Sequence, residues 1–320
     1  MEPFLQSPHW AAFQRSLGRT VHEQSGQGWR FLAIEEKNVA GTVLYAPYGP
    51  IAGSVAEFDA AMAALVELAK RCDAVCVRVE PVSAGFGADE AEGLLDRRGL
   101  QRAPSNLQPE LSWIIDLEPD FKDVLAAMKP VNRNLYRNIH KKGVTFRKSQ
   151  DPADIDVLLN FLHMTAKRNG FKPQSDGYLR QVARSLMPAG AATLFIADLH
   201  GEPIAAALAY DSTDTRTYAH AALDDSHRRL SAGIPLLVTL MADAKDKGLK
   251  HVDLWGVAPA DQPDHEWAGF TAFKKSFGGR EVAYPGTWDL PVKKLRYRAY
   301  QLARKGREAV LKRIPARTGS

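Results

Sequence analysis

The chain has 320 residues, of which 45% are hydrophobic and 25% are charged, and its formal net charge is +5. This composition is typical of a folded protein and excludes a largely disordered chain, while the length predicts about two domains. No apolar run approaches the roughly 20 residues that a membrane helix needs. The opening MEPFLQSPHW lacks the basic and apolar regions of a signal peptide, so the sequence predicts a cytoplasmic protein.

The first half of the chain predicts a helix, a strand pair, a second helix and a buried strand. Ser7 followed by Pro8 is typical of a helix start, since a capping side chain precedes a proline at the first helical position. The predicted elements are a helix at 7–17, strands at 31–35 and 39–45, a helix at 55–71 and a strand at 74–79.

The second half repeats this order with different residues. It predicts helices at 152–169 and 175–187, strands at 192–199, 203–210 and 215–222, a helix at 232–247 and a strand at 251–254. The repeated order predicts an α+β fold of two duplicated domains. It is similar to the element order of GNAT-type N-acyltransferases, so we expect two tandem GNAT-like domains.

The predicted domain boundary follows an apolar strand at 111–117. The first domain is then 1–117, completed by a C-terminal helix within 288–320, and the second domain is 118–287. The C-terminal helix carries nine basic residues against Glu308 alone. It is compatible with an anionic lipid surface, with RNA phosphates, or with a surface helix that closes the first domain.

Several motifs of catalysis and cofactor binding are absent from the sequence. There is no GxGxxG or GxxxxGK[ST] phosphate loop, no HExxH metal motif and no GxSxG nucleophile elbow. Cys72 and Cys76 lack a further histidine or cysteine at zinc-motif spacing, so we expect buried structural thiols. The sequence therefore implies no metal or redox cofactor.

The segment SHRRLSAGIPLL is where coenzyme A would bind, because acyl-CoA-dependent GNAT enzymes place a glycine-rich turn before the helix that corresponds to the one predicted at 232–247. Arg228 and Gly233 match such a turn, but Arg229 and Ser231 occupy the two earlier glycine positions. Side chains there would obstruct the close approach of the backbone to a pyrophosphate. A plain helix start with two solvated arginines is the alternative.

A basic segment spans residues 129–148, and no acidic residue interrupts it. Arg133, Arg137 and Lys141 follow at intervals of four residues, which predicts one helix face, and Lys142 adds to the charge. This pattern is typical of a surface that binds nucleic-acid or polyphosphate groups. A solvated basic helix remains the alternative.

The segment GFTAFKKSFGG contains the strongest candidate for a catalytic cation. Phe270, Phe273 and Phe277 have the spacing of one buried helix face, and Lys274 lies beside it. A lysine beside an apolar cluster is suited to stabilise an oxyanion or a phosphate, whereas an exposed lysine at a helix end is the alternative. Asp253, at a predicted strand end, is the best-placed carboxylate.

Six segments in this order resemble the Fem peptidyltransferase family, which transfers amino acids from aminoacyl-tRNA to the stem peptide of a peptidoglycan precursor. They are FLQSPHWAAF, YAPYGPIAG, LQPELSWIIDL, NRNLYRNIHKKGV, the helix before DLWGV, and FKKSFGG. The resemblance implies catalytic roles for Phe273 and Lys274. It implies substrate-binding roles for a second set, namely Arg15, Arg216, Tyr218 and Asp253. Some family members carry a coiled-coil arm, for which this chain has no room.

The resemblance therefore predicts an aminoacyltransferase for peptidoglycan cross-bridges. Its partners would be an aminoacyl-tRNA donor and a nucleotide-linked or lipid-linked precursor, with peripheral contact to the inner membrane face left open. Residues Arg133, Arg137, Lys141 and Lys142 would hold phosphates. The main alternative is an acyl-CoA-dependent GNAT N-acyltransferase acting on a small amine or peptide, and a second is a non-catalytic tRNA- or membrane-binding module.

Overall fold

A computed structural model describes residues 1–38, 41–82, 88–170, 173–265 and 267–313. The first two residues of the strand predicted at 39–45 lie outside these ranges. So do residues 314–320, at the end of the predicted first domain.

The described residues form ten α-helices and fourteen β-strands. The helices are α1 Pro8–Ser16, α2 Val55–Arg71, α3 Ala88–Arg97, α4 Phe121–Ala127, α5 Pro130–Asn138, α6 Ile155–Asn169, α7 Asp176–Leu186, α8 Gly233–Asp246, α9 Ala268–Lys275 and α10 Lys294–Arg313. The strands are β1 Val21–Gly26, β2 Trp29–Asn38, β3 Gly41–Ala46, β4 Ile51–Ala52, β5 Ala74–Val79, β6 Gln101–Arg102, β7 Leu111–Asp116, β8 Val144–Ser149, β9 Ala192–Leu199, β10 Glu202–Asp211, β11 Thr215–Leu223, β12 His251–Gly256, β13 Arg280–Ala283 and β14 Trp288–Pro291.

The chain divides into two compact units. One, here called the central unit, contains Met1–Leu17 and Pro109–Ala283, and the other, the flanking unit, contains Gly18–Gln108 and Tyr284–Ser320. Each unit is built on its own sheet of seven strands with helices packed on it. The predicted α+β class and its duplicated plan are confirmed, and β8 leads into α6 through a short 3-10 turn with no coiled-coil arm.

The flanking unit has the strand order β1-β2-β3-β5-β14-β6, with β4 paired to β2. Ser54 begins α2 by accepting a hydrogen bond from the Glu57 amide, and the apolar side of this helix buries Phe58 and Leu65 against the sheet. All six residues of β5 are buried. Each fully buried leucine or phenylalanine contributes about 1.5–3 kcal/mol, so this helix and strand form the core of the unit.

The central unit has the strand order β13-β7-β12-β11-β10-β9-β8. Helix α8 covers this sheet and buries Leu236, Leu237, Leu240 and Met241 in its core. Helix α1 begins at Ser7, whose hydroxyl accepts from the Trp10 amide at 3.1 Å, as the Ser-Pro pair predicts. It lies against α7, where the Phe13 ring meets Tyr178 edge-on.

The structure places the unit boundaries elsewhere than the sequence predicted. Strand β7 hydrogen-bonds to β12 and β13, so it belongs to the central sheet and the chain changes unit between Gln108 and Pro109 rather than after Leu117. The N-terminal helix also belongs to the central unit. The C-terminal segment completes the flanking unit, because β14 pairs with β5 and α10 buries Tyr297 and Tyr300 beside Cys76.

Candidate active site

Two neighbouring strands of the central sheet separate at the candidate site. β11 and β12 run parallel but pair only through Thr215–Thr217 with His251–Asp253. Beyond these residues β11 continues to Leu223 along β10, while β12 continues along β7 with a register shift after Asp253. The strands therefore diverge where Asp253 ends the paired stretch, which exposes backbone and side chains that a continuous sheet would cover.

A bulge in β12 fixes the backbone next to this divergence. Trp255 adopts a left-handed conformation with φ of 65°, and its amide donates to the Asp253 carboxylate at 2.7 Å. At Gly256 a Cβ atom would lie 2.7 Å from the Trp267 ring and 2.8 Å from Pro109, so a larger residue does not fit. The Gly256 carbonyl is thereby held in one position.

Lys274 binds that carbonyl. Its Nζ donates a hydrogen bond to Gly256 O at 2.5 Å. Helix α9, which carries Lys274, is held to the loop after β12 by Thr271, whose hydroxyl donates to Trp267 O at 2.9 Å and accepts from the Ala258 amide at 2.8 Å. An ammonium has three N–H donors, so two remain for other partners of Lys274.

The Lys274 amine and the Asp253 carboxyl are electrostatically coupled and both have shifted pKa values. Burial lowers the pKa of Lys274 to about 8, and the Asp253 charge opposes this shift. Burial raises the pKa of Asp253 to about 6, against the Trp255 amide, the Lys274 charge and the Ser112 hydroxyl. Near pH 7 the site therefore holds an ammonium beside a carboxylate, an arrangement that can stabilise developing negative charge.

The three phenylalanines around Lys274 do not form the single buried face that their spacing predicted. Phe277 is fully buried, Phe273 is half-buried and meets it edge-on at 5.0 Å between ring centres, and Phe270 is 57% exposed. Helix α9 ends at Lys275, so Phe277 lies beyond the helix and does not continue its face. Phe273 anchors the helix to the core one residue before the amine.

Tyr218 lies on β11 at the start of the divergence, half-buried against the core. Burial raises its pKa, so it is a neutral hydrogen-bonding group at physiological pH. Two residues on, burial lowers the pKa of His220 to about 4, which makes this imidazole neutral as well. His220 was not predicted from the sequence, because no spacing pattern distinguishes a lone histidine on a strand.

Arg216, predicted from the resemblance to bind substrate, is paired with acidic residues inside the protein. Its side chain is fully buried, and its guanidinium binds Asp211 at 2.6 Å and 2.7 Å and Asp243 at 2.7 Å. It also donates to Leu240 O and lies 5.1 Å from the centre of the Phe195 ring. Each nitrogen of the guanidinium donates to a protein acceptor, so the residue ties β10 and β11 to α8.

The basic segment is not one helix face. Helix α5 ends at Asn138, and Lys141 and Lys142 lie in a following 3-10 turn, with Lys141 Nζ donating to Asn138. Arg133 donates to the carbonyls of Ala126 and Met128 at the end of α4, which is a structural contact. In the described parts of the chain no acidic side chain forms an ion pair with Arg137, Lys141 or Lys142, and all three are exposed.

The same segment is attached to the helix that carries Lys274. The Asn132 amide group donates to Ser276 Oγ at 2.8 Å, and the Lys129 backbone amide donates to Ser276 O at 2.9 Å. Ser276 is two residues beyond Lys274. The start of α5 therefore lies beside the end of α9, and the exposed cations continue away from it.

The turn before α8 offers a poor cradle for a pyrophosphate. Ser231 is left-handed, with φ of 51°, where glycine is usual, and its amide already donates to Arg228 O. The Ile234 amide donates to Ser231 O, and Pro235 has no N–H to offer. Few backbone donors remain at this helix start, which fits the departure from a coenzyme A loop seen in the sequence.

The remaining predicted residues lie elsewhere. Arg15 is exposed near the end of α1, and the C-terminal helix belongs to the flanking unit. On α10 the tyrosines at 297 and 300 are buried, whereas Leu295 and Leu302 are 80% and 70% exposed. None of the described helices combines the length and apolar character needed to cross a membrane.

Comparisons with known proteins agree with this fold. Residues 127–269 match the family described as an acetyltransferase (GNAT) domain. The crystal structure of FemX superposes with a TM-score of 0.83 at 18% identity, covering 93% of this chain and 94% of that one. No curated protein matches the sequence.

Two further solved structures share the architecture less closely. The C-terminal domain of a putative lysylphosphatidylglycerol synthetase from Agrobacterium fabrum has a TM-score of 0.60 at 14% identity, covering 94% of this chain and 93% of that one. A tandem GNAT protein from the clavulanic acid biosynthesis pathway has a TM-score of 0.50 at 13% identity, covering 86% and 83%. The predicted likeness to the Fem family is confirmed in the fold, and the chain contains an acyltransferase domain.

Proposed function

We propose that this acyltransferase with the FemX fold moves an amino acid from aminoacyl-tRNA to an amine on the stem peptide of a peptidoglycan precursor. The observation that supports it most is Lys274, a half-buried ammonium coupled to Asp253 and anchored on Gly256 at a strand divergence. The likeness to FemX across 93% of the chain supports the same class of reaction.

The reaction needs alignment and charge stabilisation more than an activated side chain. The acceptor nitrogen attacks the ester carbonyl carbon of the aminoacyl group, so a C–N bond forms and the C–O bond to the ribose breaks. The proton lost by the nitrogen goes to the departing ribose oxygen. Because the ester is already activated, holding the two substrates together supplies much of the acceleration.

Lys274 has the role of an oxyanion donor in this step. Negative charge develops on the carbonyl oxygen as the nitrogen attacks, and the two N–H donors not used for Gly256 are suited to bind it. Asp253 acts as a positioning residue, since its charge favours the ammonium form of Lys274 against the effect of burial.

The exposed cations of α5 and its following turn are suited to the phosphates of the donor. Lys129, Arg137 and Lys142 have no acidic partner among the described residues, and the segment is attached to the end of α9 through Asn132. A phosphate chain bound along it would lead away from Lys274. Such binding would bring the ester end of a charged tRNA, rather than its body, to the amine.

An acyl-CoA-dependent N-acyltransferase is the second candidate, favoured by the match of residues 127–269 to the acetyltransferase (GNAT) domain. The α8 start argues against it, because Ser231 replaces a glycine and Pro235 removes an amide donor. Coenzyme A would also leave the exposed cations near α9 without a role.

Ligand-dependent thermal shifts separate the two candidates. We expect charged tRNA and a precursor nucleotide each to raise the Tm of the full-length chain, and acetyl-CoA to leave it unchanged. The decisive assay is single-turnover transfer of a labelled amino acid from tRNA to the precursor. Stabilisation by acetyl-CoA alone, together with acetyl transfer to an amine, would replace the proposed function by the second candidate.

A further inference from the structure

Three side chains far apart in the sequence converge in the flanking unit. His22 lies on β1, Glu35 on β2, and Cys72 directly follows α2. His22 Nε2 is 2.9 Å from Glu35 Oε1 and 3.6 Å from Cys72 Sγ, and the three potential ligand atoms lie within 4.8 Å of one another. In the described ranges no other group of three such side chains comes this close together.

Sheet register and a helix end bring these groups together. His22 pairs with Ala33 across β1 and β2, so Glu35, two residues farther on, lies diagonally opposite on the same face. Cys72 caps the C-terminus of α2, with its amide donating to Leu68 O at 3.0 Å. The spacing of these residues along the chain matches no zinc motif, so a zinc-binding partner for Cys72 could not be predicted from the sequence.

We propose that His22, Glu35 and Cys72 form a binding site for a divalent cation of the zinc class. An imidazole nitrogen, a carboxylate oxygen and a thiolate sulfur are the ligands that Zn²⁺ takes in proteins, and a thiolate disfavours Mg²⁺ and Ca²⁺. Three protein ligands leave a fourth position for water or an exogenous ligand. The site lies outside the central unit, so it does not depend on the proposed transfer reaction.

The surroundings of the three groups suit a cation. The side chains of His22 and Glu35 are 26% and 11% exposed, which leaves an entry path from solvent. Lys37 pairs with Glu35 through the other carboxylate oxygen, Oε2, at 3.4 Å, so Oε1 stays available beside His22. Thiolate and carboxylate charges together balance a 2+ ion.

A thiolate, and not a thiol, is the form of Cys72 that binds such a cation, so the bound cation takes the place of the thiol proton.

Metal binding to the full-length chain tests the proposal directly. After treatment with a chelator, equilibrium dialysis against Zn²⁺ should show one tightly bound ion per chain, and Zn²⁺ should raise the Tm. Co²⁺ bound in its place should show a thiolate charge-transfer absorption. Cys72→Ser should abolish that absorption and weaken Zn²⁺ binding by roughly 100-fold or more, since losing an outer-shell partner alone costs 10–100-fold.

Matched variants make the result specific. His22→Gln should weaken binding similarly and serves if Cys72→Ser proves unstable, because its side chain is partly exposed. Cys76→Ala and His9→Gln change a cysteine and a histidine outside the cluster and should bind Zn²⁺ like the original chain. Failure to bind stoichiometric Zn²⁺, or unchanged affinity in both Cys72→Ser and His22→Gln, would overturn the proposal.

Discussion

Two adjacent lysines on α9 have different surroundings. Lys274 donates to Gly256 O and is coupled to Asp253, whereas Lys275 lies 5.1 Å from the centre of the Trp113 ring and 3.6 Å from Glu281. The second lysine is therefore held by its own surface partners. This pair offers a substitution and its control within one turn of helix.

Lys274→Ala should slow single-turnover transfer from charged tRNA by about 100-fold or more, the effect of removing one preorganised oxyanion donor. Lys275→Ala should leave the rate nearly unchanged and cost about 0.5–1 kcal/mol of folding stability through its lost contact with the Trp113 ring. Rates are compared at matched fractions of folded protein. Equal rates in the two variants would exclude Lys274 from the mechanism.

The coupled pair predicts how transfer depends on pH. Activity should fall above about pH 8, as Lys274 loses its proton, whereas protonation of Asp253 below about pH 6 should leave Lys274 as an ammonium. The two apparent values belong to the pair. In Asp253→Asn the alkaline limb should move to lower pH, because the charge that raises the pKa of Lys274 is gone.

A pH profile of transfer measured between pH 5 and pH 9.5 checks this prediction, and the range is set by roughly 1–1.5 units around the two values. Asp261→Asn, which changes an exposed loop residue, is the control and should keep the alkaline limb of the original chain. An unchanged alkaline limb in Asp253→Asn would show that the Asp253 carboxylate does not affect the pKa of Lys274.

We expect substitution of Arg216 to lower the stability of the fold rather than to weaken substrate binding. Arg216→Ala removes a fully buried guanidinium and leaves Asp211 and Asp243 with only the lysines at 247 and 148 as ion-pair partners among the described residues. We therefore expect a loss of about 3 kcal/mol in the free energy of unfolding, the lower end of the cost of breaking a buried ion pair. Arg180→Ala, whose ion pair with Asp156 is exposed, should cost less than about 1 kcal/mol. Urea denaturation of both variants measures the difference, and similar midpoints would contradict it.

At the scale of elements, the cations after Pro130 fall into paired and unpaired groups. Arg147 binds Asp198 and Asp154, and Lys148 binds Asp243, so acids on neighbouring elements compensate their charge. Arg137 and Lys142 have no such partner among the described residues. The charges of Arg137 and Lys142 are therefore not compensated within this part of the protein and can attract a phosphate backbone.

The double variant Arg137→Ala with Lys142→Ala should therefore weaken tRNA binding and reduce the slope of log affinity against log salt by about 1.4–1.8, with each phosphate contact contributing about 0.7–0.9. Affinities are measured by filter binding at several salt concentrations. Arg147→Ala with Lys148→Ala is the control and should change the slope much less. A reversed order of the two slopes would contradict this assignment.

Elements with strong periodicity or capping signals were predicted well from the sequence. Strands β5 and β9 agree with their predicted ranges, and α2 agrees at both ends. Short or weakly patterned elements such as β1, α4 and β14 were not predicted, because a few residues of mixed polarity carry no periodic signal. Lys274 was predicted as a candidate from its neighbours in the sequence, whereas its hydrogen bond to Gly256 depends on a bulge in β12 that no local pattern indicates.

At the scale of the whole molecule, the chain passes between the two units three times. The flanking unit is completed only by residues 284–320, since Trp288 is buried in its core and Asp289 binds the buried Arg78 at 2.7 Å and 2.8 Å. Alternating hydrophobicity predicts that a strand exists but not which sheet it joins. This explains why β7 was assigned to the wrong side of the predicted boundary.

Deletion of residues 284–320 should unfold the flanking unit, because Arg78 would be left as an unpaired buried charge and the core would lose Trp288. Amide hydrogen exchange should then show lost protection in β5 and retained protection in β10. Deletion of residues 305–320 alone keeps these contacts and should preserve protection in β5. Full protection of β5 in the longer deletion would contradict this prediction.

The lowered pKa of Lys274 has a chemical consequence beyond transfer. With a pKa of about 8, about a tenth of this amine is unprotonated at pH 7, compared with far less than a hundredth for an ordinary lysine. An unprotonated amine is nucleophilic, so Lys274 should react with amine-directed electrophiles ahead of the other lysines. A mild acylating reagent would therefore label this position selectively, and a bound substrate would protect it, giving a direct measure of site occupancy.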